Sequence, residues 1–163
     1  MTAPRQDPAR LSPHLLEAEY LHTAHRALWG EQVASWHSTP ALRYSAQRFA
    51  TAVFERVREI TGPLQVTSGY RCGVLNAAVG GRPTSRHVLG IACDVIPTGM
   101  TVEDAMAAIV RALDAGALED LDEAIIEMGW LHLQGAPAGT RARRLALQTH
   151  DGVHFQPYAR RSA

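Results

Sequence analysis

The sequence predicts an α+β domain in which helices pack against a small, mainly antiparallel sheet. Three observations lead there. Two long segments, around residues 40–60 and 101–116, carry apolar residues at helical spacing between clear end signals. Four short apolar runs, LQVTSG, IACDVI, EAIIEM and WLHLQ, read as strands bounded by turn residues. The chain has 163 residues, which suits a single domain able to fold without staples.

Residues 1–10 are polar and Pro-containing and read as a disordered lead; residues 11–158 form the domain, and 159–163 a tail. From Ser12, SPHLLEAEYLHTAHRALWG reads as one helix. Ser12 can cap it, Pro13 suits its first turn, and Glu17 lies early in it. GEQVASWHSTP reads as looser. The next helix spans Pro40 to Ile60. Phe49, Val53, Val57 and Ile60 share its apolar face, with Phe54 beside them. Arg48, Glu55, Arg56, Arg58 and Glu59 fill the other face, and Thr61-Gly62-Pro63 ends the helix.

LQVTSG is the first strand, Leu75–Val79 a short helical turn, GGRPTS a loop, and IACDVI the second strand. Thr101 opens a third helix, TVEDAMAAIVRALDAG, with Asp104 placed as in a capping box and Gly116 at its end. EAIIEM and WLHLQ form a hairpin about Gly129. RRLALQTHDGVHFQPY is compatible with a further strand.

Formal net charge is zero, which offers no general support for binding nucleic acid or acidic membranes. The local basic cluster of Arg141, Arg143, Arg144, Arg160 and Arg161 reads as a solvated face. No apolar run reaches the ~18 residues that span a bilayer, so no membrane insertion is expected. MTAPRQDPARLSPH has no apolar signal core, so synthesis in the cytoplasm without the usual export route is expected. Cys72 and Cys93 are too sparse for a disulfide framework and are expected to be separate thiols.

The chemistry concentrates in SRHVLGIACDV, where His87 and Asp94 bracket small and apolar residues. Catalytic zinc takes three protein ligands from His, Asp or Glu and keeps a position open. His87 lies in a loop feeding the strand that carries Asp94, and alternation puts Ala92, Asp94 and Ile96 on one face. His132, between Leu131 and Leu133, points opposite to both and is the candidate third ligand. From spacing alone, each of the three could equally be an ordinary polar residue. His14, His22, His25 and His37 read as exposed residues. His150 and His154 stand four apart, but Gly152 argues against the helix that would let them share a metal, so they read as surface or rim residues.

Ser68-Gly69-Tyr70-Arg71, Leu75-Asn76, Val79-Gly80-Gly81 and Ser85-x-His87-x-x-Gly90-x-Ala92-x-Asp94 occur in order, and Trp130-Leu131-His132 follows downstream. Over roughly residues 11–135, this pattern resembles the zinc D-alanyl-D-alanine carboxypeptidase and phage-endolysin family of murein peptidases. The resemblance implies a hedgehog/D-Ala-D-Ala-peptidase-like fold. It implies Zn2+ held by His87, Asp94 and His132. It further implies Glu127 as general base, with Asp122 and Glu123 in reserve. Arg71 would hold the substrate carboxylate or polarise its carbonyl, and Ser85 would contact substrate.

Two departures stand out. The family's acid commonly lies three residues before the last histidine, where this chain has Gly129; Glu127 is five before. Cys72 takes the place of a small residue after S-G-Y-R. The implied activity is hydrolysis of a peptide bond next to D-alanine in peptidoglycan stem peptides, as a D-Ala-D-Ala carboxypeptidase or a murein endopeptidase associated with a phage or prophage; the sequence does not fix the oligomeric state, and a monomer is favoured. A holin would act separately to give it access to the wall, or it would be a virion component. The alternative is a non-catalytic zinc-binding structural module of a phage tail or virion.

Overall fold

The computed structural model describes residues 9–159. Expectations for residues 1–8 and 160–163 lie outside the described residues. Where one long helix is predicted from Ser12, two short antiparallel strands pair instead, β1 (Arg10–Ser12) and β2 (Leu15–Leu16). Arg10, read as part of the lead, belongs to β1. A short helix, α1 (Glu17–Leu21), follows.

The cause is tertiary. Ser12 Oγ donates to Glu55 Oε1 at 2.6 Å, and the His14 backbone N–H donates to the same oxygen at 2.8 Å. Leu11 and Leu15 are buried in the core. A distant carboxylate therefore takes the hydroxyl that local rules assign to a helix cap. The stretch expected to be loose is helix α2 (Trp29–Ser38), entered through a 3₁₀ turn at Arg26–Leu28. Its Gln32 and Trp36 stand one turn apart, share a face, and are both buried.

The scaffold helix runs where it is predicted, as α3 (Pro40–Phe49), a widened π turn at Ala50–Phe54, and α4 (Glu55–Thr61). Phe49, Val53, Phe54 and Val57 are buried, and Ile60 is half-buried. A π turn fits one extra residue into the helix, which brings both Val53 and Phe54 onto the core side.

Then come β3 (Leu64–Ser68), α5 (Gly73–Ala78), β4 (Ala92–Pro97), α6 (Val102–Asp114), β5 (Leu121–Ile126), β6 (Leu131–Gly135), β7 (Leu145–Gln148) and β8 (Gln156–Pro157). Thr101 caps α6 as expected, accepting the Asp104 N–H at 3.0 Å. The main sheet has the order β3-β4-β6-β5-β7-β8. Its pairs are antiparallel except β5 with β7. β5 and β6 form the expected hairpin, and the C-terminal region adds two strands.

Alternation divides the central strands into two faces. Cys93, Val95, Ala124, Leu131 and Leu133 are fully buried on one face, in a single core with Val53, Phe54, Met106 and Ile109. Each large apolar side chain buried this way contributes roughly 1.5–3 kcal/mol. The opposite face carries Asp94, Glu123, Ile125, His132 and Gln134 and lines a cleft of about 1070 Å³. Among the described residues no helix is long and apolar enough to cross a membrane.

Candidate metal centre

Strand register brings the polar residues together. Asp94 on β4 is opposite His132 on β6, which is opposite Ile125 on β5. Directly opposed residues share a face, so Asp94 and His132 are near neighbours. His87 arrives from the loop before β4. Its Nδ1 lies 2.6 Å from the Gly69 carbonyl oxygen, which accepts only, so Nδ1 carries the hydrogen and Nε2 the lone pair. Gly69 is needed at this point: a Cβ there would lie 2.3 Å from the Tyr20 carbonyl oxygen.

The three expected ligands converge. His132 Nδ1 is 2.9 Å from Asp94 Oδ1, and His87 Nε2 is 3.3 Å from both of those atoms. Tetrahedral zinc with bonds near 2.0–2.1 Å holds its ligand atoms about 3.4 Å apart. Two imidazole nitrogens and a carboxylate oxygen at this spacing fit zinc, and among the described residues they are the cluster able to hold a metal ion.

The electrostatics agree. Burial alone pushes the Asp94 carboxyl up, but the facing His87 and His132 override it and hold it well below the usual carboxylate range. Burial pulls the His87 imidazole down, favouring the neutral form that binds metal. Burial acts the same way on His132, where the hydrogen bond and charge of Asp94 outweigh it and raise the imidazole instead.

Glu127 reaches the same face by hairpin geometry. Ile125 opposes His132, and the Glu127 N–H donates to the Trp130 carbonyl at 3.0 Å across a tight turn. Glu127, Ile125 and Glu123 on one arm thus share a face with Trp130, His132 and Gln134 on the other, and all six line the cleft. Gly129, at φ 99°, occupies the turn, a backbone region that glycine enters without strain. The acid five positions before His132 therefore faces the site, and the position three before is a turn. Burial, then the charge of Asp94, pushes the Glu127 carboxyl up.

Arg71 also borders the cleft, but it is tied to the metal site. Its Nη2 donates to Asp94 Oδ2 at 2.5 Å and its Nε to Ser68 Oγ at 2.8 Å. A buried amide holds the turn around it: Gln32 Nε2 donates to the Tyr70 carbonyl, and Gln32 Oε1 accepts the Cys72 N–H at 2.7 Å. Ser85 lies at the cleft wall, and its Oγ accepts the His87 N–H at 3.4 Å.

The two reserve acids are otherwise engaged. Asp122 is buried and bound by Arg143 and Gln134, and Glu123 lies 3.2 Å from Arg143 Nη2. Cys72 and Cys93 are free and buried, and alternation turns Cys93 to the apolar face, away from Asp94. His14, His22, His25, His37, His150 and His154 are exposed. His14 pairs with Glu55 and His154 with Asp151.

Gln32 and Gln134 are not among the residues the sequence marks, and Ser68 is marked only as a member of the Ser68-Gly69-Tyr70-Arg71 motif, with no role of its own. Alternation from His132 puts Gln134 on the same face, and nothing local marks Gln32. No curated protein matches the chain. The Peptidase M15 family model matches residues 23–133, about two thirds of the chain, and that span contains His87, Asp94, His132, Glu127 and Arg71. This chain belongs to the Peptidase M15 family, whose members are zinc-dependent metallopeptidases.

Proposed function

We propose that this protein hydrolyses a peptide bond next to D-alanine in peptidoglycan stem peptides, as a carboxypeptidase or a murein endopeptidase. The observation that carries this reading is the convergence of His87, Asp94 and His132 on the floor of a large cleft, with Glu127 on the same sheet face. Zinc bound there would supply Lewis-acid polarisation of the scissile carbonyl and bring the pKa of water towards ~7.

The protein's own groups do the rest. Glu127 takes the proton of the attacking water and passes it to the leaving amine, a role suited to a carboxyl that burial pushes above its ordinary range. Asp94 holds its ligand oxygen still because Arg71 grips the other one. The bonds to Ser68 and Asp94 use two of the five guanidinium N–H donors of Arg71. The remaining donors meet the substrate carboxylate or carbonyl. Ser85 contributes a hydroxyl from the cleft wall. An acid away from the usual spacing favours a non-catalytic zinc module; the hairpin register supports the catalytic reading instead, because it turns Glu127 to the face that carries His132. The setting we propose is a phage or prophage wall-degrading protein, acting alongside a separate holin or within a virion.

The test is hydrolysis of purified peptidoglycan of several wall types by zinc-loaded protein, with and without a chelator. Released D-alanine or new free amines are expected, and the chelator abolishes them. Glu127→Gln is expected to lower the rate by roughly 10²–10⁴-fold while zinc stays bound. A folded, zinc-loaded protein that releases neither product from any wall type overturns the reading.

A further inference from the structure

His87 and His132 offer different nitrogens to the same centre, Nε2 and Nδ1. A backbone carbonyl makes that choice for His87. For His132 the choice is made by a chain of side chains ending at Arg143.

Asp122 is buried, with a side chain only 3% exposed. Its Oδ1 accepts from the Arg143 backbone N–H at 2.8 Å and from Nε at 3.1 Å. Its Oδ2 accepts from Arg143 Nη2 at 2.6 Å and from Gln134 Nε2 at 3.0 Å. A carboxylate only accepts, so Gln134 must turn its NH₂ towards Asp122. That leaves Gln134 Oε1 facing His132 Nε2, 3.2 Å away. A carbonyl oxygen also only accepts, so His132 must carry a hydrogen on Nε2. With Nε2–H committed to Gln134, Nδ1 is the nitrogen left to bind a metal; it faces Asp94 and His87, and the hydrogen it shares with Asp94 Oδ1 at 2.9 Å is the one a metal would displace.

We propose that Gln134, oriented by the Asp122–Arg143 pair, is a positioning residue that selects the Nδ1-binding form of His132 and thereby sets the zinc affinity of the site. The proposal rests on His87, Asp94 and His132 being the zinc ligands. Outer partners that orient a metal-bound histidine commonly change metal affinity by about 10–100-fold when altered. Asp122 and His132 lie within the span matched by the family model, and Gln134 and Arg143 lie beyond its end.

The decisive substitution reverses hydrogen-bond polarity without changing shape. In Asp122→Asn, an amide oxygen at the Oδ1 position keeps the Arg143 backbone N–H and Nε, while the NH₂ at the Oδ2 position turns to Gln134 and gives up the bond from Arg143 Nη2. Gln134 must then flip and present its own NH₂ to His132, which moves the imidazole hydrogen to Nδ1 and blocks the metal. Zinc affinity, measured by competition with a chromophoric chelator, is expected to fall about 10–100-fold. Adding Gln134→Glu to that variant restores an acceptor towards both neighbours, and affinity returns to within a few-fold of the parent.

Gln134→Met leaves the Asp122–Arg143 pair intact and is expected to weaken zinc by about 10-fold. It also keeps the test sharp if Asp122→Asn folds poorly. The cobalt spectrum of each variant reports whether the same ligands are used. The proposal is overturned if Gln134→Met binds zinc like the parent, or if the double variant recovers nothing that a folded Asp122→Asn has lost. His87→Ala separates the two levels. If it binds zinc undiminished, the ligand assignment fails and the proposal with it. If it loses zinc while Asp122→Asn and Gln134→Met keep theirs, only the role of Gln134 fails.

Discussion

Two buried aspartates on the same sheet, Asp94 and Asp122, are each gripped by an arginine, yet only one has an oxygen left to offer. Asp94 gives Oδ2 to Arg71 and turns Oδ1 to His132 and His87. Asp122 has both oxygens filled, by the backbone and side chain of Arg143 and by Gln134. Burial pushes both carboxyls up, and in both cases the partners override it and leave the group below its ordinary range. The depressed acidity is therefore shared and does not distinguish them. What separates a ligand from a strut is how many of its lone pairs are already taken.

Removing each pair's central charge tests that distinction. Asp94→Ala is expected to have the largest effect on metal. It should weaken zinc by more than the roughly 100-fold upper end seen for outer partners, with hydrolysis lost in parallel. Isothermal titration of the metal-free protein measures it. Undiminished zinc binding would break the comparison.

Arg143→Met should act on stability. Breaking a buried pair costs about 3–5 kcal/mol, but half of the Arg143 side chain is exposed, so roughly 1–3 kcal/mol is expected in denaturant unfolding. The sign of the pH effect follows. The Asp122 carboxyl is lowered in the folded state, so its contribution is present above the unfolded value near ~3.9 and is lost as pH falls through the folded value. Acid unfolding of Arg143→Met should accordingly begin at higher pH than in the parent.

Arg71→Lys should have the smallest effect. It keeps a charge near Asp94 but cannot span Ser68 and Asp94 with one rigid fork. Zinc is expected to weaken by about 10-fold, with little change in unfolding. If Arg71→Lys lowers unfolding stability as Arg143→Met does and leaves zinc affinity unchanged, the two pairs are equivalent and the distinction is lost.

The near half of the site was legible because it is local. His87 and Asp94 lie in one segment, and alternation along β4 points Asp94 to the cleft. Glu127 was visible as an acid but stood at an unfamiliar spacing from His132. Only the register, with Ile125 opposite His132, shows that both share a face. Arg71 was legible as a site residue, but its bond to Asp94 was not, since β3 and β4 pair across a long loop. The first helix was misread for a related reason. Ser12 and His14 answer to Glu55, some forty residues away, whose carboxyl their hydrogen bonds pull down against the upward push of burial. Helix α2 was missed because its anchor, Gln32, is a polar residue buried by its bonds to the Arg71 turn.

By itself the sequence determined the α+β class, the scaffold helix and the hairpin, each from periodicity or turn signals within one stretch of chain. It marked His87, Asp94 and His132 as candidate ligands only through an ordered set of motifs that resembles a known family. Tertiary structure alone decided which nitrogen each histidine presents, which acid faces the metal site, and which aspartate is free to bind. Those choices follow from hydrogen-bond polarity, and a donor or acceptor has meaning only opposite its partner, which here comes from a strand or loop far away in the chain.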